Sequence, residues 1–205
     1  IMSKVHILPP DIISKIAAGE VIDRPASVIK ELLENALDAQ ADTIEIELSQ
    51  AGKSSICIKD NGSGIEGDDI ETVFKRHSTS KIQTADDLFD IHSLGFRGEA
   101  LYSIAAVSDI VLRSKTKPSD SGWDIHLRGG EKLQLKPSAM PNGTEIEVKE
   151  LFFNTPARRK FLRSDTSEIN QILNIVIPYA LLYPSRRFKL IHAGKPLLDL
   201  NPAGD

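Results

Sequence analysis

Cysteine and aromatic residues are scarce in this chain. Its 205 residues include one cysteine, Cys57, and phenylalanine, tyrosine and tryptophan together make up 5%. A single cysteine cannot form an internal disulfide bond, which suits a reducing compartment and leaves the apolar core to stabilise the fold. Cys57 lies in an alternating run, and this alternation predicts that its side chain packs inward as a small apolar group.

Long apolar runs and a strong net charge are also absent. No run approaches the length that spans a membrane, and no secretory signal is visible. The formal net charge of −4 predicts no attraction of the whole chain to nucleic acid, so only a local basic patch could serve that purpose. A G-x-x-x-x-G-K-S/T loop is missing, which excludes the P-loop nucleotide-binding class. We therefore expect a soluble intracellular protein without a membrane partner.

Helical and alternating patterns both occur, in separate blocks. Helices are predicted over Ile12–Ala18 (ending at Gly19), Ala26–Asp38, Asp68–Phe74, Ala85–Phe89, Glu99–Ala106 and Asp165–Leu182. Strands are predicted over Thr43–Gln50, Ser54–Asp60, Ile110–Lys115, Trp123–Leu127, Lys132–Leu135, Thr144–Lys149 and Phe188–His192. This order predicts an α+β fold, with helices packed on one face of a mostly antiparallel sheet. No repeat or linker divides residues 1–205, so one domain is expected.

The helix predicted over Ala26–Asp38 carries a polar stripe. Glu31, Asn35 and Asp38 stand at i, i+4 and i+7, which places them on one face. Spacing alone does not separate a ligand-binding face from a solvated one, and most charged helix faces are solvated. The turn that follows the second predicted strand favours a ligand. We expect Asp38 itself to be structural, as a cap or ion-pair partner.

That turn, Asp60–Gly64, opens with a carboxylate and contains two glycines. Glycine lets the backbone approach a ligand where a Cβ would clash. Extended to Gly67, the turn also spells the G-x-G-x-x-G fingerprint of dinucleotide-binding proteins. We reject that interpretation, because the polar and basic stretch Arg76–Lys81 follows instead of a buried parallel strand. Asp60, two residues before the first glycine, would also repel a pyrophosphate.

Several blocks together resemble known proteins. Four of them resemble the GHKL nucleotide-binding fold of gyrase B subunits, large heat-shock chaperones, histidine kinases and MutL: Glu31 with Asn35, Asp60–Gly64, Gly95–Leu101, and Gly143 with Thr144. Two further blocks resemble the MutL mismatch-repair family in particular: Ile16–Ile22 with Arg24–Ala26, and Phe153–Leu162. The resemblance runs from about Val5 to the final strand. It implies a Bergerat-type two-layer α+β sandwich with a mixed, mostly antiparallel sheet. It also implies that residues 1–205 form a subdomain of a longer protein, followed by transducer and dimerisation domains.

The resemblance implies a role for each matched residue. Glu31 resembles the general base that activates water, and Asn35 the ligand of Mg²⁺. Asp60 resembles the carboxylate that reads the adenine of ATP, supported by Gly64 and Thr144. The remaining expected nucleotide contacts, in the phosphate and lid region, are Thr79, Leu94, Gly95, Phe96, Arg97 and Gly98.

The MutL resemblance implies Mg²⁺-dependent ATP binding and hydrolysis that gates a dimeric clamp on DNA during mismatch repair. In this family a lysine from a following domain reaches the γ-phosphate, so this chain alone should turn over slowly. Two alternatives stay open: a nucleotide-dependent scaffold with negligible turnover, and another GHKL enzyme. A histidine kinase should carry a phosphoacceptor helix before this domain, and a topoisomerase subunit would not explain Asn154–Lys160.

A basic cluster follows the predicted sheet strands: Arg158, Arg159, Lys160 and Arg163. It predicts a DNA-facing patch, because phosphate contact needs only clustered positive charge. A solvated basic turn is the alternative. The resemblance further implies non-specific DNA binding through the longer protein, the mismatch-recognition protein MutS as a partner, and pairing with a second copy or a paralogue. The compartment would be the bacterial cytoplasm, beside the nucleoid, or the eukaryotic nucleus.

Overall fold

The structure is a computed structural model that describes residues 9–79, 94 and 98–203. In this part of the chain, segments of alternating apolar and polar residues form one eight-stranded sheet. The strands are β1 (Thr43–Ser49), β2 (Ser55–Asp60), β3 (Asp109–Lys115), β4 (Gly122–Arg128), β5 (Glu131–Ser138), β6 (Gly143–Lys149), β7 (Arg187–His192) and β8 (Lys195–Leu200). Their order is β5-β4-β3-β6-β2-β1-β7-β8. Only β1 and β7 pair in parallel among these described strands, so the predicted mixed, mostly antiparallel sheet is confirmed.

The helices pack on one face of this sheet. They are α1 (Pro10–Val21), α2 (Pro25–Asp38), α3 (Ala100–Ala106), α4 (Pro156–Phe161) and α5 (Asp165–Leu182). Ile44, Ile46 and Leu48 of β1 alternate into the core and are at most 1% exposed. Leu32 and Leu33 of α2 are buried in the same core. The α+β sandwich expected from the order of the elements is therefore confirmed. No helix within residues 9–79 or 98–203 is long and apolar enough to cross a membrane.

The first helix continues through Gly19, where the sequence predicted its end. A Cβ at this position would lie 1.5 Å from the guanidinium of Arg158, so the absence of a side chain makes room for α4 to pack against α1. Glycine inside a helix costs only about 1 kcal/mol relative to alanine, which tertiary packing can outweigh.

Three other local predictions differ from the structure. The helix predicted over Asp68–Phe74 is two 3₁₀ turns, Gly67–Asp69 and Thr72–Phe74, since a segment this short cannot offset the cost of helix nucleation. The chain does not close at β7, because β8 adds an exposed edge strand that contains Pro196. Cys57 lies half-exposed on the face away from the helices, since its neighbours Ile56 and Ile58 are the inward residues.

The helix predicted over Ala85–Phe89 lies outside the described residues. The long predicted helix Asp165–Leu182 is confirmed at both ends. Its Ser164 caps the first turn by accepting a hydrogen bond from the backbone N–H of Ser167.

The packing of α5 can be checked with a matched pair of substitutions. Ile172 is 0% exposed, whereas Ile177 in the same helix is 40% exposed. Ile172→Ala should lower the free energy of unfolding by about 2–5 kcal/mol, because it leaves a cavity in the core. Ile177→Ala should change it by less than about 0.5 kcal/mol. Urea denaturation measures both, and equal losses would contradict the placement of α5.

Candidate functional site

Three polar residues form a row across the sheet at one end of its strands. Asp60 ends β2 and pairs in register with Thr144 of β6, which pairs in turn with Ser114 of β3. Because they occupy the inward positions of their strands, all three point toward the helices. Ser114 is 0% exposed and Thr144 is 8% exposed. The sheet therefore aligns a carboxylate and two hydroxyls on its buried face.

Hydrogen bonds orient this row. The Ser114 hydroxyl donates to the carbonyl oxygen of Gly143 at 3.0 Å and accepts from the backbone N–H of Ile65 at 2.8 Å. It lies 2.9 Å from the Thr144 hydroxyl. Since a serine hydroxyl has one proton, which goes to Gly143, the Thr144 hydroxyl is the donor to Ser114. Sequence-based reasoning missed Ser114, whose role depends on strand pairing that the sequence pattern does not specify.

The glycine turn after β2 packs tightly against two elements. Gly64 has a φ of +75°, and a Cβ there would lie 2.3 Å from the carbonyl oxygen of Lys115, so only glycine fits. A Cβ at Gly62 would lie 2.7 Å from the carbonyl oxygen of Ala39, which caps α2. The same oxygen accepts a hydrogen bond from the backbone N–H of Ser63 at 2.9 Å. The turn thus joins the end of β2 to the C-terminal end of α2.

The Asp60 carboxyl group is desolvated in this position. Burial raises the pKa of Asp60 from 3.8 to about 6, although the backbone groups of Gly62 and Thr144 partly lower it. The Gly62 N–H donates to Oδ1 at 2.8 Å. Such a rise corresponds to a cost on the order of 3 kcal/mol for the ionised form in the folded protein. A ligand that donates a hydrogen bond would relieve this cost.

The raised pKa also has a consequence for stability. Between pH 3.8 and about 6 the folded protein retains a proton on Asp60 that the unfolded chain has released. In the ligand-free protein this group therefore lowers the free energy of unfolding as the pH rises through that window.

The polar stripe of α2 lies beside this turn. Glu31, Asn35 and Asp38 are half-buried, while the apolar face of α2 is buried in the core. The Asp38 carboxylate accepts a hydrogen bond from the backbone N–H of Leu94 at 3.0 Å, in agreement with a structural role. Turn and stripe are adjacent because Ala39, the next residue after α2, contacts Gly62 and Ser63.

The residues present fit a magnesium ion that is shared with phosphate. Within the described ranges, no group of three or more His, Cys, Asp or Glu residues is arranged to hold a metal. Mg²⁺ does not need such a cluster, since it retains waters and phosphate oxygens and takes only one or two protein ligands. The amide oxygen of Asn35 is a hard oxygen donor of the type that suits such a site.

Part of the predicted phosphate and lid region is described. Gly98 has a φ of +60°, and a Cβ there would lie 2.6 Å from the carbonyl oxygen of Ser78, so Gly98 contacts the residue before Thr79. Glu99 lies 3.3 Å from the Arg76 guanidinium and 3.2 Å from His77 Nδ1. The structure thus brings the backbone near Thr79 and Gly98 together. Leu94 is 39% exposed, and Gly95, Phe96 and Arg97 lie outside the described residues.

The four residues of the predicted basic patch differ in their exposure to solvent. Arg159, Lys160 and Arg163 are exposed. Arg158 instead lies half-buried against α1, where its Nη2 donates to the carbonyl oxygen of Ile16 at 3.5 Å. It also lines a cavity of about 240 Å³ that does not include Glu31, Asn35 or Asp60. The position of its guanidinium over Gly19 points to a packing role.

Comparison with known proteins identifies the family. Residues 23–150 match the family described as histidine kinase-, DNA gyrase B-, and HSP90-like ATPase. The chain is 50% identical over 204 residues, all of its length, to the DNA mismatch repair protein MutL of Lactiplantibacillus plantarum, of which it covers 30%. It belongs to the GHKL ATPases, in the MutL family. It is also 51% identical over 192 residues to MutL of Listeria monocytogenes, covering 94% of this chain and 32% of that protein.

Solved structures agree with this MutL assignment. The Aquifex aeolicus MutL ATPase domain complexed with ADP is 38% identical, with a TM-score of 0.76 over 90% of this chain and 66% of that one. The predicted family, the GHKL fold and the ATPase class are thereby confirmed. The chain spans about a third of the length of the curated relatives it matches. The roles of single residues stay predictions.

Adenosine binding should weaken as the pH falls through about 6. An ionised Asp60 carboxylate can accept a hydrogen bond from the adenine amino group, whereas the protonated form must first release or turn its proton. With a pKa of about 6, roughly nine-tenths of the Asp60 groups are protonated at about pH 5. The affinity should therefore be roughly tenfold lower there than at about pH 7, as measured by equilibrium binding.

Adenosine suits this measurement because it lacks titrating phosphates. The matched control is Asp60→Asn, whose affinity should be lower and independent of pH over the same range. Equal affinity of the wild type at both pH values would show that Asp60 does not contact the base.

Proposed function

We propose that this chain binds ATP with Mg²⁺ and hydrolyses it, with Asp60 reading adenine, Asn35 binding the metal and Glu31 acting as general base. One observation carries the proposal: the glycine turn after β2 closes on the C-terminal end of α2. This contact places the desolvated carboxylate of Asp60 next to the helix whose half-buried stripe carries Glu31 and Asn35. This proximity supports a single site that combines a base-reading group with a hydrolytic group.

The chemistry of Asp60 favours adenine over guanine. Its ionised carboxylate only accepts hydrogen bonds, and Oδ1 already accepts from Gly62. Adenine offers an amino donor where guanine presents a carbonyl acceptor. Guanine would leave a desolvated acceptor without a partner, which costs about 1–3 kcal/mol, or roughly ten- to hundredfold in affinity. Thr144 and Gly64 support Asp60 through the strand pairing and the close turn described above.

Hydrolysis needs few groups from the protein, since phosphoryl transfer is mostly positioning and charge neutralisation. Glu31 orients the attacking water and takes up its proton. Its side chain is 26% exposed, so it is accessible to a water molecule. When bound, Mg²⁺ supplies positive charge to the phosphates. The proposed phosphate and lid contacts come from Thr79 and from the backbone of residues 94–98, namely Leu94, Gly95, Phe96, Arg97 and Gly98.

In the longer protein, we infer that this ATPase gates a dimeric clamp in DNA mismatch repair. Support comes from the MutL relatives, which are about three times as long as this chain. A second copy or a paralogue, the mismatch-recognition protein MutS, and DNA are the proposed partners. Arg159, Lys160 and Arg163 form the proposed DNA-facing patch, because their side chains are exposed and positively charged.

Glu31→Ala should separate ATP binding from hydrolysis. Binding should stay nearly intact, because Glu31 acts on water and not on the nucleotide. Turnover by the full-length protein should fall by about 10²–10⁴, the usual effect of losing a general base. Equilibrium binding and steady-state phosphate release measure the two quantities. Glu131→Ala on the exposed edge strand β5 is the control and should change neither. Unchanged turnover in Glu31→Ala would exclude this role and favour a scaffold that turns over negligibly.

The DNA patch can be tested through salt dependence. Replacing Arg159 and Lys160 together by alanine should lower DNA affinity for all sequences alike, and should reduce the salt slope by about 0.9 per lost phosphate contact. Filter binding of duplex DNA across a salt series measures both effects. Lys136→Ala, at another exposed position, should leave the slope unchanged. Arg158→Ala should lower stability and not the slope. An unchanged slope in the double variant would contradict DNA contact there.

A further inference from the structure

A polar cluster of Lys30, Glu34 and Tyr179 adjoins Glu31. Glu34 lies on the buried side of α2 and is 6% exposed. Its Oε1 lies 2.9 Å from Lys30 Nζ and also accepts a hydrogen bond from the Tyr179 hydroxyl of α5. Lys30 Nζ lies 3.8 Å from Glu31 Oε1. A chain of contacts therefore runs from α5, through a buried carboxylate and an ammonium group, to the proposed base.

Helix stability does not account for this cluster. A buried carboxylate is costly unless it is paired and hydrogen-bonded, and an apolar residue would fill the same space at lower cost. Lysine four residues before glutamate is also the less favourable order for an ion pair within a helix. A packing role alone would therefore be better filled by other residues.

The charges of the cluster are well defined. Burial by itself would lower the pKa of Lys30, but the hydrogen bond and charge of Glu34, followed by the charge of Glu31, raise it above 10.5. Burial and the hydrogen bond to Glu34 raise the pKa of Tyr179 above its ordinary value. Lys30 is thus a cation and Tyr179 a neutral donor, and both contact Glu34 Oε1.

The contact from α5 restricts the lysine. A free lysine side chain samples many rotamers, and ordering it costs up to about 2 kcal/mol. Glu34 lies in a fixed place because Tyr179 donates to it from another helix, and it thereby limits where the Lys30 ammonium can lie. That ammonium is close enough to Glu31 Oε1 to orient the Glu31 carboxylate.

We infer that Tyr179, Glu34 and Lys30 are positioning residues for ATP hydrolysis, which orient the Glu31 carboxylate from α5. This inference rests on the proposed role of Glu31 as the base. In this scheme the three residues contact neither the nucleotide nor the attacking water molecule. They should therefore affect the rate of hydrolysis and not the binding of ATP.

Steady-state kinetics of the full-length protein tests the inference. Tyr179→Phe removes one hydroxyl and should lower kcat about three- to tenfold, the usual effect of one lost hydrogen bond, with KM for ATP unchanged. Lys30→Met should lower kcat further, and Lys30→Arg should recover most of the loss. Tyr183→Phe is the matched control one helical turn away and should change nothing, since the Tyr183 ring contacts Arg186 instead. If Tyr179→Phe folds poorly, Lys30→Met and Lys30→Arg test the inference by themselves, because the Lys30 side chain is half-exposed.

Repeating the Tyr179 and Lys30 substitutions in Glu31→Ala protein separates a positioning role from general stabilisation. If Tyr179 and Lys30 act through Glu31, then in Glu31→Ala protein neither substitution should lower the residual turnover further. Equal losses in both backgrounds, or a rise in KM together with the fall in kcat, would overturn the inference while leaving Glu31 as the base. Unchanged turnover in Glu31→Ala alone would instead exclude the proposed function itself.

Discussion

The close contact between the turn after β2 and the C-terminal end of α2 is the constraint on which the site depends. The Ala39 carbonyl accepts from Ser63 and leaves no space for a Cβ at Gly62, while Gly64 lies against the Lys115 backbone. The backbone thus approaches two elements more closely than any side chain allows. Because this contact joins strand end to helix end, Asp60 lies beside the C-terminal end of α2, although Asn35 and Asp60 are 25 positions apart in the sequence.

The sheet contributes the second half of the site through its register. Asp60, Thr144 and Ser114 are neighbours only because β2, β6 and β3 pair as they do. A shift of one residue in either pairing would turn a hydroxyl to the opposite face of the sheet. The buried apolar residues on the same face, such as Ile58 and Ile146, oppose such a shift, since it would expose them to water. The packing of the core therefore also maintains the geometry of the site.

The two faces of the sheet differ in character. The helix-covered face is mostly apolar away from the site. The opposite face carries ion pairs between strands, including Arg113 with Asp124 at 2.8 Å and with Glu145 at 2.7 Å. Cys57 lies on this second face, where burial and the charge of Glu145 raise its pKa to about 12 and keep it a neutral thiol. Such partly exposed pairs contribute modestly to stability, so the fold depends mainly on the apolar face.

Local pattern by itself determined much of this protein. Apolar periodicity predicted α2, α5 and the main strands, because amphipathic segments must bury one face, and the ordered motif blocks predicted the family and the site residues. Four features became clear only from the tertiary structure: the continuation of α1 through Gly19, the strand β8, the role of Ser114, and the cluster around Glu34. Three of these features depend on contacts between distant segments: Arg158 over Gly19, strand register at Ser114, and Tyr179 against Glu34. The fourth, β8, depends on hairpin pairing with β7, in which Ile191 lies opposite Pro196. A periodic pattern records which face of an element is buried, but not which distant residue it meets there.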